Sequence, residues 1–150
     1  MTMQISATLR GFELSESYQR SKNLAETWAH FRVTLSPLEP QTVDSYPDLA
    51  KRLLETYPHL RIHACDNGNY KSFPAELAKT EIAHAFEHIM IELLAQESDA
   101  LRLDIKGQTA WNFSKDGQGV YRIRIKGFSS EDQARKISQQ ACIVFQDLSR

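Results

Sequence analysis

The stretch Thr80–Gln96, TEIAHAFEHIMIELLAQ, predicts a helix on which the rest of the domain is built. It contains no Pro or Gly, and its apolar side chains recur at the spacing of a helical stripe, namely Ile82, Phe86, Ile89, Met90 and Leu93. We expect this stripe to pack on a sheet. The polar side of the helix should then face outward or into a groove beneath the loop of residues 65–73.

The polar side of this helix carries two histidines and a glutamate in the order H-x-x-E-H. Because His84 and His88 are four residues apart, they lie on one helix face and can bind the same metal ion. Glu87 is placed where it can take a proton from a water molecule that the metal activates. The pattern predicts a metal-dependent hydrolase with Glu87 as its general base.

A solvated helix face is the alternative explanation of the same residues. Exposed helix faces normally mix basic and acidic side chains, which form ion pairs at a spacing of four. After Lys79, the segment through residue 100 contains five acidic residues and no Lys or Arg, the acids being Glu81, Glu87, Glu92, Glu97 and Asp99. The motif leaves both explanations open, and the acidic bias favours a bound cation.

Composition indicates one folded domain. The chain has 150 residues, of which 41% are hydrophobic and 25% charged, enough to bury a core. The net charge of −1 gives no broad attraction to nucleic acid or membranes. Neither a signal peptide nor a 20-residue apolar span is visible, and two cysteines are too few for a disulfide framework. We expect a cytoplasmic protein, and a homo-oligomer stays open.

The remaining sequence alternates between strand and helix patterns. We predict strands at 28–35, 60–64, 101–105, 110–113 and 119–125. Helices are predicted over 45–57, from Pro74 into the motif helix, and from Ser129 or Ser130 to Leu148. This order predicts an α+β fold, a single-domain sandwich with a mostly antiparallel sheet and helices packed on one face. Residues 1–27 would be an extension or the first strand, and 28–150 the domain.

Several motifs follow one another between Trp28 and Leu148. They are a strand with an acidic linker, a Pro-containing helix with a Leu pair, an H-x-C-x-x-G segment, the H-x-x-E-H-x-x-x-E-L helix and a G-V-Y sequence, at Phe31–Glu39, Pro47–Leu54, His63–Gly68, His84–Leu93 and Gly119–Tyr121. In this order they resemble the amino-terminal domain of cyanophycin synthetase, which builds a branched polymer of aspartate and arginine. The glycine-rich stretch that follows H-x-C-x-x-G in that family is replaced here by Asn69–Phe73.

The resemblance implies a metal-dependent hydrolytic site that cuts the polymer into shorter primers. On this sequence, zinc would be held by His84 and His88, and Glu87 would be the general base. Imidazole suits zinc and other transition metals, whereas magnesium and calcium prefer oxygen ligands, so another transition metal stays open.

A carboxylate would complete the ligands of the metal. We assign it to Glu92, and Glu81, His63 and Cys65 are rival ligands; for His63 a structural role is the alternative. Acidic residues near the site, Glu81 and Asp66, are expected to bind an arginine-bearing peptide or polymer substrate.

Two functional hypotheses therefore stand. The first is a zinc peptidase that acts on cyanophycin or another Asp/Arg-rich polymer, and the complete motif favours it. The second is a catalytically silent binding or scaffold module related to the synthetase domain, which the altered loop favours. Four residues could line a groove beside the site, although isolated polar residues on strands are more often sheet surface: Lys106, Trp111, Asn112 and Arg122.

Overall fold

The computed structural model describes residues 7–14, 28–36, 40–65, 72–98 and 104–149, with only the backbone for 7–14. Its strands are β1 (Ala7–Leu14), β2 (Trp28–Leu35), β3 (Lys106–Trp111) and β4 (Val120–Lys126). Its helices are α1 (Leu49–Thr56), α2 (Phe73–Leu77), α3 (Ile82–Glu97), α4 (Phe113–Asp116) and α5 (Glu131–Leu148), with 3-10 helices at Val43–Ser45 and Pro58–Ile62. The α+β class is confirmed.

The four strands form one antiparallel sheet in the order β1-β2-β4-β3, so β1 and β3 are its edges. Side chains alternate between the two faces of a strand. The inward side chains of β2 and β4 are buried, namely Ala29, Phe31, Val33, Leu35, Tyr121, Ile123 and Ile125. The outward ones include Arg32, Arg122 and Arg124, which are exposed. The core therefore lies on one face, where α3 and α5 pack on the sheet.

Helix α3 is buried on nearly every side. Four residues of its predicted apolar stripe lie in the core and Leu93 is partly buried, but Ala83, Ala85, Ile91 and Leu94 on its other sides are buried too. Apolar side chains on several sides are typical of a buried helix. Its polar side is packed against β3 and the 3-10 helix Pro58–Ile62. Of the two expected orientations, the outward one is wrong. Cys65 and Phe73, at the ends of the loop of residues 65–73, lie against His84 and His88.

The helix expected to run from Pro74 through the motif is interrupted. α2 ends at Leu77, and Thr42 and Glu81 form an isolated β-bridge before α3 begins. The N–H of Ile82 donates to the carbonyl of Gln41 at 2.8 Å, and the N–H of Val43 donates to that of Thr80 at 2.9 Å. These bonds to a distant segment replace helical ones, so the chain starts a second helix at Ile82.

Two predicted strand regions differ from the structure. Residues 60–64 are not a strand, because Pro58 at the first position favours a helical start and a 3-10 helix follows to Ile62. The strand predicted at 101–105 falls mostly outside the described residues, and Asp104 and Ile105 are not in a strand. The strand predicted at 110–113 is replaced by β3, which begins earlier, at Lys106. Because β3 lies at the edge of the sheet, its sequence shows little alternation of apolar and polar residues.

The final helix begins as its cap residues predict. Ser130 is the N-cap of α5, and its Oγ accepts a hydrogen bond from the N–H of Gln133 at 3.1 Å. Cys142 lies on this helix, partly buried against the core, and burial raises the pKa of its thiol. At the other predicted helix, α1 is preceded by the 3-10 helix Val43–Ser45 instead of starting at residue 45.

Candidate metal centre

Three potential metal ligands converge where α3 meets the segment that follows Pro58–Ile62. The ligand atoms of Cys65, His84 and His88 all lie within 4.8 Å of one another. Nε2 of His84 is 3.2 Å from Nε2 of His88 and 3.5 Å from Sγ of Cys65. Both predicted histidines are therefore brought together, and Cys65, a rival ligand in the sequence, joins them.

A chain of hydrogen bonds orients His88. Nε2 of His63 lies 2.9 Å from Oε1 of Glu92, and Nδ1 of His63 lies 3.0 Å from Nδ1 of His88. With an ionised Glu92 and a neutral His63, Nε2–H of His63 donates to Glu92, and Nδ1 of His63 accepts the Nδ1–H of His88. His88 then carries its lone pair on Nε2, which is the nitrogen that faces His84.

The hydrogen bonds of Thr80 orient His84 in the same way. The Thr80 hydroxyl donates to Oε2 of Glu81 at 3.3 Å, and its oxygen lies 2.8 Å from Nδ1 of His84. Since the hydroxyl has one proton, Nδ1–H of His84 donates to the Thr80 oxygen. In this arrangement the lone pair of His84 is also on Nε2, the nitrogen that lies 3.2 Å from Nε2 of His88. Two such nitrogens could share one metal ion.

A proton is a poor occupant of this position. Burial lowers the pKa of His84, against the opposing effect of Glu76 and Glu81. Burial also lowers the pKa of His88 well below its usual value, and the neighbouring His84 and His63 lower it further. Metal ions bind the neutral imidazole, so both rings are held in the form that a metal requires.

Two of the three donor–donor separations fit zinc, and the third, between Cys65 and His88, lies within 4.8 Å. Tetrahedral zinc with Zn–N of about 2.0–2.1 Å and Zn–S of about 2.3 Å needs donor atoms about 3.3–3.6 Å apart. The observed separations are 3.2 Å for the two histidines and 3.5 Å for Cys65 and His84. Thiolate and imidazole are the ligands that zinc shares with other transition metals. Three protein ligands, which is the number in this cluster, are typical of catalytic zinc sites.

Glu87 lies beside the cluster. Its Oε2 is 3.8 Å from Nε2 of His88, and its Oε1 accepts a hydrogen bond of 2.7 Å from the hydroxyl of Thr109 on β3. Burial raises the pKa of Glu87 to about 7, although the bond from Thr109 acts in the opposite direction. A general base works best when its pKa is near the operating pH, so this environment suits the predicted role.

Gly107 makes room for Glu87, and we expect Gly107→Ala to lower the free energy of unfolding by about 1–3 kcal/mol. An alanine Cβ would lie 2.7 Å from Oε2 of Glu87 and 2.9 Å from Cδ1 of Ile91, so at least one side chain must move. Urea denaturation measures the cost. On a Glu87→Ala background the same substitution should cost less, and an equal cost in both backgrounds would contradict this packing.

Glu87 also makes the stability of the metal-free protein depend on pH. Because its pKa is raised from 4.5 to about 7, the folded protein keeps a proton that the unfolded chain releases earlier. The stabilisation is full below about pH 4.5 and is lost as the pH rises through about 7, a change of about 3 kcal/mol. Relative to the wild type, Glu87→Gln should therefore gain about 3 kcal/mol between pH 4.5 and 8.

Urea denaturation of both proteins in a chelating buffer at several pH values measures this gain. His84 and His88 titrate in the wild type and the variant alike, so their contributions largely cancel in the difference. A difference in stability that stays constant with pH would show that the carboxyl of Glu87 is not held protonated by its surroundings.

Among the described residues, Glu92 and Glu81 are not members of the cluster of converging ligand atoms. Glu92 is 0% exposed, and its two oxygens contact His63 and Nε2 of Gln96, the latter at 3.0 Å. It is thus placed to orient His88 through His63. Glu81 accepts from Thr80 at the start of α3. Asp66 lies outside the described residues.

Several neighbours of the site carried no signal in the sequence. Phe73 of α2 packs its ring on His88, with centroids 4.1 Å apart, and Glu76 lies 3.8 Å from Nδ1 of His84. Thr109 and Gly107 reach Glu87 from a strand about twenty residues further along the chain. Isolated residues of these types have no characteristic spacing, whereas Cys65 and His63 were detectable through the H-x-C-x-x-G segment.

The fold and the site define an α+β domain with a largely buried Cys-His-His cluster of the kind that binds transition metals. The family model of the cyanophycin synthase-like N-terminal domain matches residues 30–150, and the chain belongs to this family. The resemblance predicted from the motifs is thereby confirmed. A comparison with curated proteins found no match. In the described part of the chain, no helix has the length and apolar character needed to cross a membrane.

Proposed function

We propose that this domain binds one transition metal ion, zinc by preference, through Cys65, His84 and His88, and uses it to hydrolyse peptide bonds. The observation that carries the proposal is the convergence of Nε2 of His84, Nε2 of His88 and Sγ of Cys65, with the Glu87 carboxyl 3.8 Å from His88. The polymer after which the family is named suggests the substrate, cyanophycin or a related Asp/Arg-rich polypeptide.

Glu87 and Thr109 have different roles in the proposed hydrolysis. When bound, zinc would supply a Lewis acid that polarises the scissile carbonyl and makes a water molecule more acidic. Glu87 takes the proton of the attacking water and passes it to the leaving amine. Thr109 holds Oε1 of Glu87, which leaves Oε2 on the side of His88.

The Glu92–His63 pair orients a metal ligand and does not bind the substrate. Through their hydrogen bonds they keep the lone pair of His88 directed at the cluster, a task that partners of metal-bound histidines commonly perform. Glu81 and Asp66 stay candidates for binding an arginine side chain of the substrate, because carboxylates pair well with guanidinium groups.

A catalytically silent binding or scaffold module of the same family is the second candidate. Two observations favour it: the family match describes a domain of a larger synthase-like protein, and Glu87 and His88 are only 4% and 3% exposed. In that case a metal at the cluster would stabilise the fold, as structural zinc does elsewhere.

Metal analysis and a hydrolysis assay together test the proposal. The untagged protein is purified, stripped of metal, reloaded with zinc and analysed by plasma mass spectrometry, and the loaded protein is then incubated with Asp/Arg polymer. One zinc per chain with release of short fragments is the expected result. One zinc without fragments would favour the silent module, and no zinc would overturn the metal site.

A further inference from the structure

Edge strand β3 directs one row of its backbone groups away from the sheet. The N–H of Leu35 donates to the carbonyl of Gly119 at 2.9 Å. Successive residues of an antiparallel strand bond in opposite directions, so Tyr121, Ile123 and Ile125 of β4 also bond toward β2. The intervening residues of β4 bond toward β3, where their partners are Lys106, Gln108 and Ala110. The N–H and C=O groups of Gly107, Thr109 and Trp111 therefore point outward along the edge.

This row has no partner strand in the part of the chain that the structure describes. The sheet ends at β3, and the backbone hydrogen bonds outside helices and ladders include none from residues 106–111. Two of the three outward residues also border the candidate catalytic group: Thr109 donates to Glu87, and the missing side chain of Gly107 makes room for it. A chain that paired with this edge would run beside Glu87.

The outer face of the sheet is basic next to the same edge. Cross-strand register places Lys106 opposite Lys126 and Arg122 opposite Arg32. Clustered cations give this face a positive potential, which attracts anions. Strands β2, β3 and β4 contain no Asp or Glu. Asp116, in the β3–β4 connection, pairs with Arg122.

We propose that β3 binds an extended acidic polypeptide as an additional strand. Its backbone would pair with Gly107, Thr109 and Trp111, and its carboxylates would lie on the basic face beside Lys106 and Arg124. Adding a strand to an exposed sheet edge is a general mode of peptide recognition. Docking itself does not need the metal; that the docked chain is cleaved beside Glu87 rests on the proposed function.

Charge favours this occupant over the alternatives. A second copy of β3 would bring the same cations against this edge, and edge lysines normally discourage such pairing. Single-stranded nucleic acid binds by stacking its bases on aromatic rings. The indole of Trp28 on this face is already covered by the guanidinium of Arg124, whose Cζ is 4.5 Å from the ring centroid. Carboxylates on an extended backbone suit both the free edge and the cations.

Amide hydrogen exchange of the metal-free protein tests the docking. The probe is a decapeptide of aspartate with acetylated and amidated ends, and exchange is followed by NMR. At saturation we expect the amides of Gly107, Thr109 and Trp111 to exchange at least tenfold more slowly. The amides of Lys106, Gln108 and Ala110, which already bond to β4, should change less than twofold. Unchanged exchange at the three edge amides would overturn the proposal.

Charge reversal provides the matched control. Lys106→Glu should weaken peptide binding at least tenfold without loss of thermal stability, because it places a glutamate opposite Lys126. Lys51→Glu makes the same change of charge on α1, at a side chain that is 72% exposed, and should alter affinity less than twofold. Equal losses in both variants, or tighter binding of a thymidine decanucleotide, would overturn the proposal. Zinc content measured separately shows whether the metal site has failed instead.

Discussion

His84→Ala is expected to lower the affinity of the domain for zinc about 10²- to 10³-fold. Zinc binding at a four-ligand site is worth about 10–16 kcal/mol, so one ligand accounts for about 2.5–4 kcal/mol. Nε2 of His84 lies 3.2 Å from Nε2 of His88 and 3.5 Å from Sγ of Cys65, so it is near both other members of the cluster. Competition with a coloured zinc chelator measures the affinity, and circular dichroism confirms that the variant is folded.

Two further variants test whether the loss of zinc affinity is specific to a metal ligand. Glu92→Gln should cost less, about 10- to 100-fold, because it weakens only the hydrogen bonds that orient His88. His59→Ala should leave zinc affinity unchanged, since the His59 side chain is 61% exposed and its Nδ1 lies 4.0 Å from Oε2 of Glu92. If His84→Ala retained wild-type affinity, or lost no more than His59→Ala, the proposed cluster would be refuted.

Glu87→Gln is expected to reduce hydrolysis of Asp/Arg polymer by about 10²- to 10⁴-fold while zinc stays bound. The range is the usual contribution of general acid–base catalysis. Glutamine keeps an oxygen that can accept the hydrogen bond from Thr109, so the local packing changes little, but it cannot take a proton. The release of short fragments by the zinc-loaded variant and the wild type is compared at equal zinc content.

Glu97→Gln is the matched control for this loss. Glu97 is the last residue of the same helix, and its carboxylate lies 3.3 Å from Nζ of Lys136. The control should keep its rate within a few-fold. Full activity in Glu87→Gln would remove Glu87 from the mechanism.

The long, regular elements of the fold were predictable from the sequence. β2 and α5 follow from alternation and from a serine cap, which are local properties. β3 was displaced in the prediction, because an edge strand with one solvated side and a glycine carries little apolar periodicity. The strand predicted at 60–64 overlaps the 3-10 helix Pro58–Ile62, because a short apolar run does not distinguish a strand from a helical turn.

The candidate site was predictable only where it lies on one helix. The fold places Glu92 against His63, with its second oxygen on Gln96, because the segment after Pro58–Ile62 packs over that side of α3. The residue that lies with the two histidines in the structure is Cys65. Choosing among Glu92, Glu81, His63 and Cys65 required the path of that segment, which depends on packing far from the motif.

The sequence by itself determined helix α3 and the proximity of His84, Glu87 and His88, because residues three and four apart on a helix are neighbours in any surroundings. Only the tertiary structure decided that this polar face is buried, that Cys65 approaches it, and that β3 brings Thr109 to Glu87. Those contacts join segments about twenty residues apart, and their formation depends on how the whole core packs.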